Sequence, residues 1–297
     1  MNFSIVIATY DRDASLRRLL DGIGRNFAAA SVEHEVIVAN NACSEDIAQR
    51  ISRIVAECSG LYGERFGEVR EPLRGKCKAQ NAAIRRAKGS ILAFFDDDVE
   101  VIPSWLSAAA DFFSRTDFDV MQGPILVPPE LQNNEAFHRA QYRYRTINFV
   151  QYPPETSEIK TLTGANMAVR REIFDRVGFF NEELGPGRSG ISEDVEFARR
   201  VIQLGGRIGY EPRAAVYHAV DWNRFTEEFF RRRHEEQGRS RLLYKKQSVA
   251  SILPNLLRSL WTLGWYSMVG NERRKYRAKG RYYHYRAMLA EKLRQPA

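Results

Sequence analysis

The chain has 297 residues, 44% of them hydrophobic, which is enough to bury a large core and excludes wholesale disorder. Its formal net charge of +8 suits polyanionic partners: nucleotides, nucleic acid or an anionic membrane surface. The three cysteines, Cys43, Cys58 and Cys77, show no CxxC spacing, which argues against a disulfide framework and a thiolate metal site and for a reducing compartment.

The opening MNFSIVIATYDR lacks the basic start and long apolar stretch of a signal peptide. No run approaches the roughly 20 apolar residues of a membrane-spanning helix. The expectation is a cytoplasmic protein, soluble or peripheral on the inner face of the cytoplasmic membrane. Phe3 to Ala8 is an apolar run of the kind found in strands buried on both faces. Helical spacing follows from Ser15 to Phe27 through Leu16, Leu19, Leu20 and Ile23. Glu35 to Ala39 reads as a second buried strand, Asp46 to Cys58 as a second helix and Lys78 to Ala87 as a third. Ser90 to Phe95 is the next buried strand, and Asp96-Asp97-Asp98 follows at once. Residues 119 to 160 are less regular. Thr161 to Val169 reads as a strand and turn, Ser192 to Leu204 as an amphipathic helix, and Tyr210 to His218 as a short strand region. From Arg224 onward the pattern is helical, basic and aromatic.

Alternating strands and helices in this order predict an α/β fold with an open, mostly parallel sheet, whose ligands bind beyond the C-terminal strand ends. Three predicted strand ends carry polar clusters: Thr9-Tyr10-Asp11, Asn40-Asn41 and Asp96-Asp97-Asp98. Clustered carboxylates repel unless a cation sits among them. Hard divalent ions are often held by one or two carboxylates together with substrate phosphates. The triplet therefore points to Mg²⁺ or Mn²⁺ holding a diphosphate, with a solvated acidic turn as the plainer alternative. Glu193 and Asp194 stand in the first turn of their predicted helix, where the dipole favours negative charge; such acids are also ordinary helix starters.

These segments, taken together, resemble family 2 glycosyltransferases of the GT-A fold. SIVIATYDR is similar to that family's first strand and nucleotide loop, and VIVANNACSED to its second strand. RGKCKAQNAAIRRAKGSILAFFDDD resembles the stretch from the diphosphate loop to the DxD motif. TLTGANMAVRREIFDRVGFF resembles the acceptor-side loop, and ISEDVEFARRVIQLGGRIGYEPRAAVYH the Glu-Asp motif, its helix and a following His. The resemblance covers residues 3 to 240. It implies a Rossmann-like catalytic domain over 1–240, with a nucleotide-binding half (1–100) and an acceptor-side half (101–240). Residues 241–297 form a helical, basic and aromatic extension.

The resemblance also implies roles. Thr9, Tyr10, Asp11, Lys76, Asp96 and Asp97 fall on the donor side, with Asp96 near the ribose. Asp98 and His218 would hold Mn²⁺ or Mg²⁺. Asp194 would be the general base of an inverting transfer, and Gly164, Ala165, Asn166 and Glu193 would line the sugar and acceptor side. Asn40 stands where the family usually has an acid, and its amide is expected to pair with a base edge, UDP first, dTDP or GDP as alternatives. Arg170-Arg171 reads as a solvated helix start. The glycine-rich run from Gly185 to Gly190 reads as a lid or an idle loop. Arg231 and Arg233 are candidate phosphate contacts. The aromatic and basic segment from Leu256 to Tyr285 suits either an interfacial helix on an anionic membrane or packing on the catalytic domain.

The expected activity is metal-dependent transfer of a sugar from a nucleotide-sugar to a glycan or lipid-linked acceptor, in bacterial envelope or exopolysaccharide synthesis. A sugar-phosphate nucleotidyltransferase is disfavoured, because Thr9-Tyr10-Asp11-Arg12 stands where such enzymes carry a Gly-rich signature. Nucleic-acid binding is disfavoured because a buried acidic triplet repels phosphates unless a metal intervenes.

Overall fold

The computed structural model describes residues 1–28 and 30–294. In chain order the regular elements are β1 (Asn2–Thr9), α1 (Asp13–Phe27), β2 (Glu33–Asn40), α2 (Glu45–Tyr62), β3 (Phe66–Arg70), α3 (Lys76–Arg86), β4 (Ile91–Asp96) and β5 (Val99–Val101). They continue with α4 (Trp105–Arg115), β6 (Val120–Gln122), β7 (Ile125–Leu126), α5 (Glu135–Tyr144), β8 (Glu158–Ile159), β9 (Asn166–Arg170), α6 (Arg171–Val177) and α7 (Glu193–Gln203). The last are β10 (Ile208–Tyr210), β11 (Val216–His218), α8 (Glu227–Tyr244), α9 (Val249–Met268) and α10 (Glu272–Arg294).

The chain forms two compact units. The first comprises residues 1–128, 149–182 and 193–219. Its main sheet runs β3-β2-β1-β4-β9-β6-β10-β8, with a smaller sheet β5-β11-β7. Strands β3, β2, β1 and β4 are mutually parallel, and β9 enters antiparallel between β4 and β6. Period-two alternation sorts the strand residues onto two faces. Phe3, Ile5, Ile7, Val36, Val38, Ala93 and Phe95 pack with α1, α2 and α4; Val6, Ile37, Leu92 and Phe94 pack with α3, α6 and α7. The inner segments of β1, β2 and β4 are therefore apolar on both faces, as a sheet covered on both sides requires.

Strand β3 was absent from the sequence reading. It is the edge strand, its sequence FGEVR alternates charge with apolar residues, and no continuous apolar run announces it. Arg170 and Arg171 are also not a solvated helix start. Arg170 donates to the carbonyls of Phe113, Thr116 and Phe118, and Arg171 to those of Ala87 and Gly89. They clamp the ends of neighbouring segments to β9 and α6.

The second unit comprises residues 129–148, 183–192 and 220–297 and is helical in its described part. Residues 227–240, placed with the catalytic domain in the sequence reading, cluster here with the C-terminal helices. Helix α10 packs against both α8 and α9. The run from Gly185 to Gly190 is a closed turn: Arg188 and Gly190 donate backbone N–H groups to the Gly185 carbonyl, and Ser240 of α8 bonds Ser189. Among the described residues no helix is long and apolar enough to cross a membrane.

Candidate active site

Strand register levels the three polar strand ends of the first unit. Thr9 stands opposite Asn40, and Ala8 opposite Asp96. The acidic triplet then turns into β5, which pairs antiparallel with β11 so that His218 faces Val99. The Ala219 amide donates to the Asp98 carbonyl at 2.9 Å, fixing the two segments together.

One ligand atom each from Asp96, Asp98 and His218 fall within 4.8 Å of one another. The His218 ring donates from Nδ1 to the Ala219 carbonyl at 2.7 Å, which leaves the Nε2 lone pair of the neutral ring facing Asp98 Oδ1 at 3.6 Å. Two acceptors opposed at that distance repel unless a cation or proton comes between them. Two carboxylates and an imidazole so arranged fit a divalent cation, and the carboxylate share suits Mn²⁺ or Mg²⁺.

Asp97 is turned away from this cluster. It is buried, accepts from Thr9 Oγ1 at 2.8 Å and pairs with Arg12 Nη1 at 3.2 Å. Burial pushes its carboxyl up to about 6, against the Arg12 charge. Arg12 also pairs with Asp98 Oδ2 at 2.6 Å. Thr9 and Asp97 therefore hold the turn, and Arg12 supplies a counter-charge. Arg12 has no role in the sequence reading, although a cation three residues beyond the end of the first strand is a signal that a carboxylate triplet has a counter-charge.

A second acidic group stands on the other side of Lys76. Lys76 Nζ lies 2.6 Å from Asp96 Oδ1 and 3.3 Å from Glu193 Oε1. Burial pulls this ammonium down, but Asp96 and then Glu193 outweigh it, and its pKa is raised well above the ordinary lysine value. Asp194 Oδ2 accepts the Gly164 amide at 3.0 Å and Oδ1 the Val195 amide at 2.7 Å. Burial and then the Glu193 charge push Asp194 up to about 6, against the Gly164 hydrogen bond and Lys76. The carboxylate is thus fixed by backbone donors and more basic than an ordinary aspartate.

The family model described as Glycosyl transferase family 2 matches residues 4–178.

The chain belongs to glycosyl transferase family 2.

Within that family it is similar to glycosyltransferase AglE of Haloferax volcanii, with 25% identity over 202 residues, covering 68% of this chain and 62% of AglE. It is also similar to the succinoglycan biosynthesis protein ExoM of Rhizobium meliloti, 27% identical over 175 residues, covering 57% of this chain and 53% of ExoM. The chain thus spans between about half and just under two thirds of the length of these relatives. The fold is that of GT-A glycosyltransferases. A mannosyltransferase of Pyrobaculum calidifontis, in complex with GDP-Man and Mn2+, superposes with a TM-score of 0.56 at 16% identity, over 100% of this chain and 76% of that one. A fragment of S. aureus TarS in complex with UDP-GlcNAc gives 0.58 at 17% identity, over 99% and 93%.

Several residues singled out in this family 2 chain fall elsewhere than expected. The Asn40 amide is not offered to a nucleobase: it donates to the Ala48 carbonyl at 3.0 Å and Glu68 at 2.6 Å, and accepts from the Ala42 amide. With its donors spent and its side chain 1% exposed, it ties β2 to α2 and β3. Asn166 is likewise a scaffold residue, fully buried, donating to the Pro124 and Ala214 carbonyls and accepting from Trp105 Nε1. Ala165 is buried in the core. Gly164 reaches the site through its backbone. Asn41 accepts from Gly75 and donates to the Glu71 and Leu73 carbonyls, which sets the loop that delivers Lys76. Tyr10 lies under the Arg74 guanidinium, 5.3 Å from ring centroid to carbon, and Asp11 is exposed. Arg231 and Arg233 belong to α8 in the second unit.

Proposed function

We propose that this chain is an inverting glycosyltransferase that moves a sugar from a nucleoside-diphosphate donor, a UDP-sugar first, to a glycan or lipid-linked acceptor. The single observation that carries this reading is the line Asp98–Asp96–Lys76–Glu193 with Asp194 beside it. It sets a cation-binding cluster and a fixed, basic carboxylate on the two sides of one ammonium. The named activities of the relatives support it: succinoglycan biosynthesis for ExoM, and complexes with UDP-GlcNAc or GDP-Man for the two superposed structures. Bacterial exopolysaccharide or envelope synthesis is the setting that fits best.

In this reading the acceptor hydroxyl oxygen attacks the anomeric carbon and its proton passes to the Asp194 carboxylate. The bond from the anomeric carbon to the diphosphate oxygen breaks, and its electron pair leaves with the nucleoside diphosphate. Asp96, Asp98 and His218 would hold a divalent cation, which when bound would supply Lewis-acid stabilisation of that leaving group. Lys76 keeps Asp96 and Glu193 in register and adds a positive charge where charge develops. Thr9, Arg12 and Asp97 fix the turn that carries the ligands. Asn40 no longer argues for a particular base, so the order UDP, dTDP, GDP rests on the likeness to family members.

Helix α9 supports a peripheral membrane contact. Leu253, Leu257, Leu260, Trp261, Trp265 and Met268 share one bare face, with Trp261 69% and Met268 77% exposed. An apolar and tryptophan-rich face next to a cationic helix suits an anionic bilayer surface.

The experiment that tests the main reading is a thermal-shift titration with UDP, GDP, dTDP and CDP, each with and without Mn²⁺. Binding to the folded state alone raises the midpoint by mass action. At least one diphosphate is expected to stabilise the chain only with metal; no metal-dependent stabilisation by any of the four sinks the proposal.

A further inference from the structure

The second unit contains a cavity of about 400 Å³ among α5, α8 and α10. No carboxylate lines it. Arg145 at the end of α5, Arg241 on α8, and Arg277 and Arg281 on α10 do line it, and none of these four makes an ion pair among the described residues. Arg273, Arg277 and Arg281 repeat every four residues along α10, so like charges stack on one helix face, an unfavourable arrangement without a counter-ion. Three acids of these helices are already engaged: Glu227 by Tyr276 and Lys279, Glu235 by Arg286, and Glu272 by Arg143, itself a lining residue.

The cavity is also built, not merely charged. Two glycines let α8 and α10 approach closely: a Cβ on Gly280 would lie 2.4 Å from His234 Nε2, and one on Gly238 2.3 Å from the His284 carbonyl oxygen. His234 and His284 line the cavity together with the arginines. His284 is 8% exposed, and its Nδ1 has no hydrogen-bond partner among the described residues. Buried polar atoms are ordinarily satisfied, so this one marks a place where a partner belongs. Burial, and then the neighbouring Arg241 and His234, hold the His284 ring down at about 4.

We propose that this cavity is a second ligand site, binding a phosphate or diphosphate group between Arg241, Arg277 and Arg281 above the His284 ring. Several guanidinium forks around one small volume match a tetrahedral anion with oxygens on every side, whereas a carboxylate would satisfy only one fork. Tyr276 and Tyr285 add aromatic faces for whatever the phosphate is attached to. An anionic lipid headgroup and a soluble phosphorylated compound present the same chemistry. The site is lined wholly by the second unit and does not depend on the donor-site reading.

The test is calorimetric titration of the full chain in EDTA, which removes metal-dependent binding at the acidic cluster, with inorganic pyrophosphate as the soluble probe. Sedimentation with phosphatidylcholine vesicles containing phosphatidic acid is the lipid arm. Arg277→Ala/Arg281→Ala is expected to weaken pyrophosphate binding at least about tenfold, while Arg274→Ala, on α10 but outside the lining, and Asp98→Asn leave it unchanged. Pyrophosphate binding without vesicle binding assigns the site to a soluble phosphate; binding in both arms, each lost in the double variant, assigns it to a headgroup. No pyrophosphate binding, or an equal loss in Arg274→Ala, overturns the proposal. Circular dichroism melts of each variant separate lost binding from lost folding.

Discussion

The acidic centre of the first unit and the basic cavity of the second handle charge in opposite ways. In the first, nearly every carboxylate has a named cation: Arg12 for Asp97 and Asp98, Lys76 for Asp96 and Glu193. In the second, six arginines line a common volume with no acid in the lining, and of these Arg143 has a carboxylate partner in Glu272. Internal pairing fixes geometry at the cost of a buried polar network, whereas unanswered charge leaves its free energy to be released by a ligand. The first arrangement suits reaction, the second capture.

Breaking the acidic centre is expected to have the largest effect. Asp194→Asn removes the proton acceptor while keeping shape and the Gly164 contact, so transfer should fall about a thousandfold with donor affinity retained; single-turnover rates and nucleotide titration measure both. A transfer rate near wild type would end the base assignment. Next, Lys76→Met strands Asp96 and Glu193 together without their shared cation. It should cost about 3 kcal/mol in a urea unfolding curve, and Arg277→Met, which breaks no pair, should cost almost nothing.

Arg170→Ala tests whether a clamp outside the site is structural. Three carbonyls lose a charged donor, so about 2 kcal/mol of stability should go with activity per folded molecule unchanged. The smallest and sharpest test is pH. Because burial and Glu193 raise Asp194 to about 6, the base is lost as pH falls through that value, and kcat/KM should show an acid limb there. Glu193→Gln removes a charge that raises Asp194, so the limb should move to lower pH. An upward move or none would show that another group sets it.

Much of this molecule is legible in its sequence, for reasons that also mark the limits. Strands β1, β2 and β4 lie in a sheet covered on both faces, so each carries an apolar run: Ile5 to Ala8, Val36 to Ala39 and Ile91 to Phe95. Helices α1 and α7 show their buried stripes at helical spacing. The edge strand β3 and the three-residue β5 have no such signature, because pairing and not burial defines them. The same division runs through the site. An acidic triplet announces itself locally. What becomes of Asn40 depends on Glu68 and Ala48, and what becomes of Arg170 on carbonyls more than 50 residues away. Three glycines in six residues read as a loop, but the serine that pins the loop is 51 positions on. Local pattern names the groups; only the closed fold reveals which have already spent their hydrogen bonds.

Asn166 carries a consequence for how the molecule comes together. Its side chain joins Trp105, Pro124 and Ala214, separated from it by 61, 42 and 48 positions. Contacts of such sequence separation form only after large loops have closed, so this amide is satisfied late on the folding path. Asn166→Asp, which replaces two donors by acceptors facing carbonyls, should therefore hasten unfolding far more than it slows refolding. Such a split between the two rates would mark the scaffold beneath the acidic centre as a kinetic latch, whose release governs the lifetime of the native state.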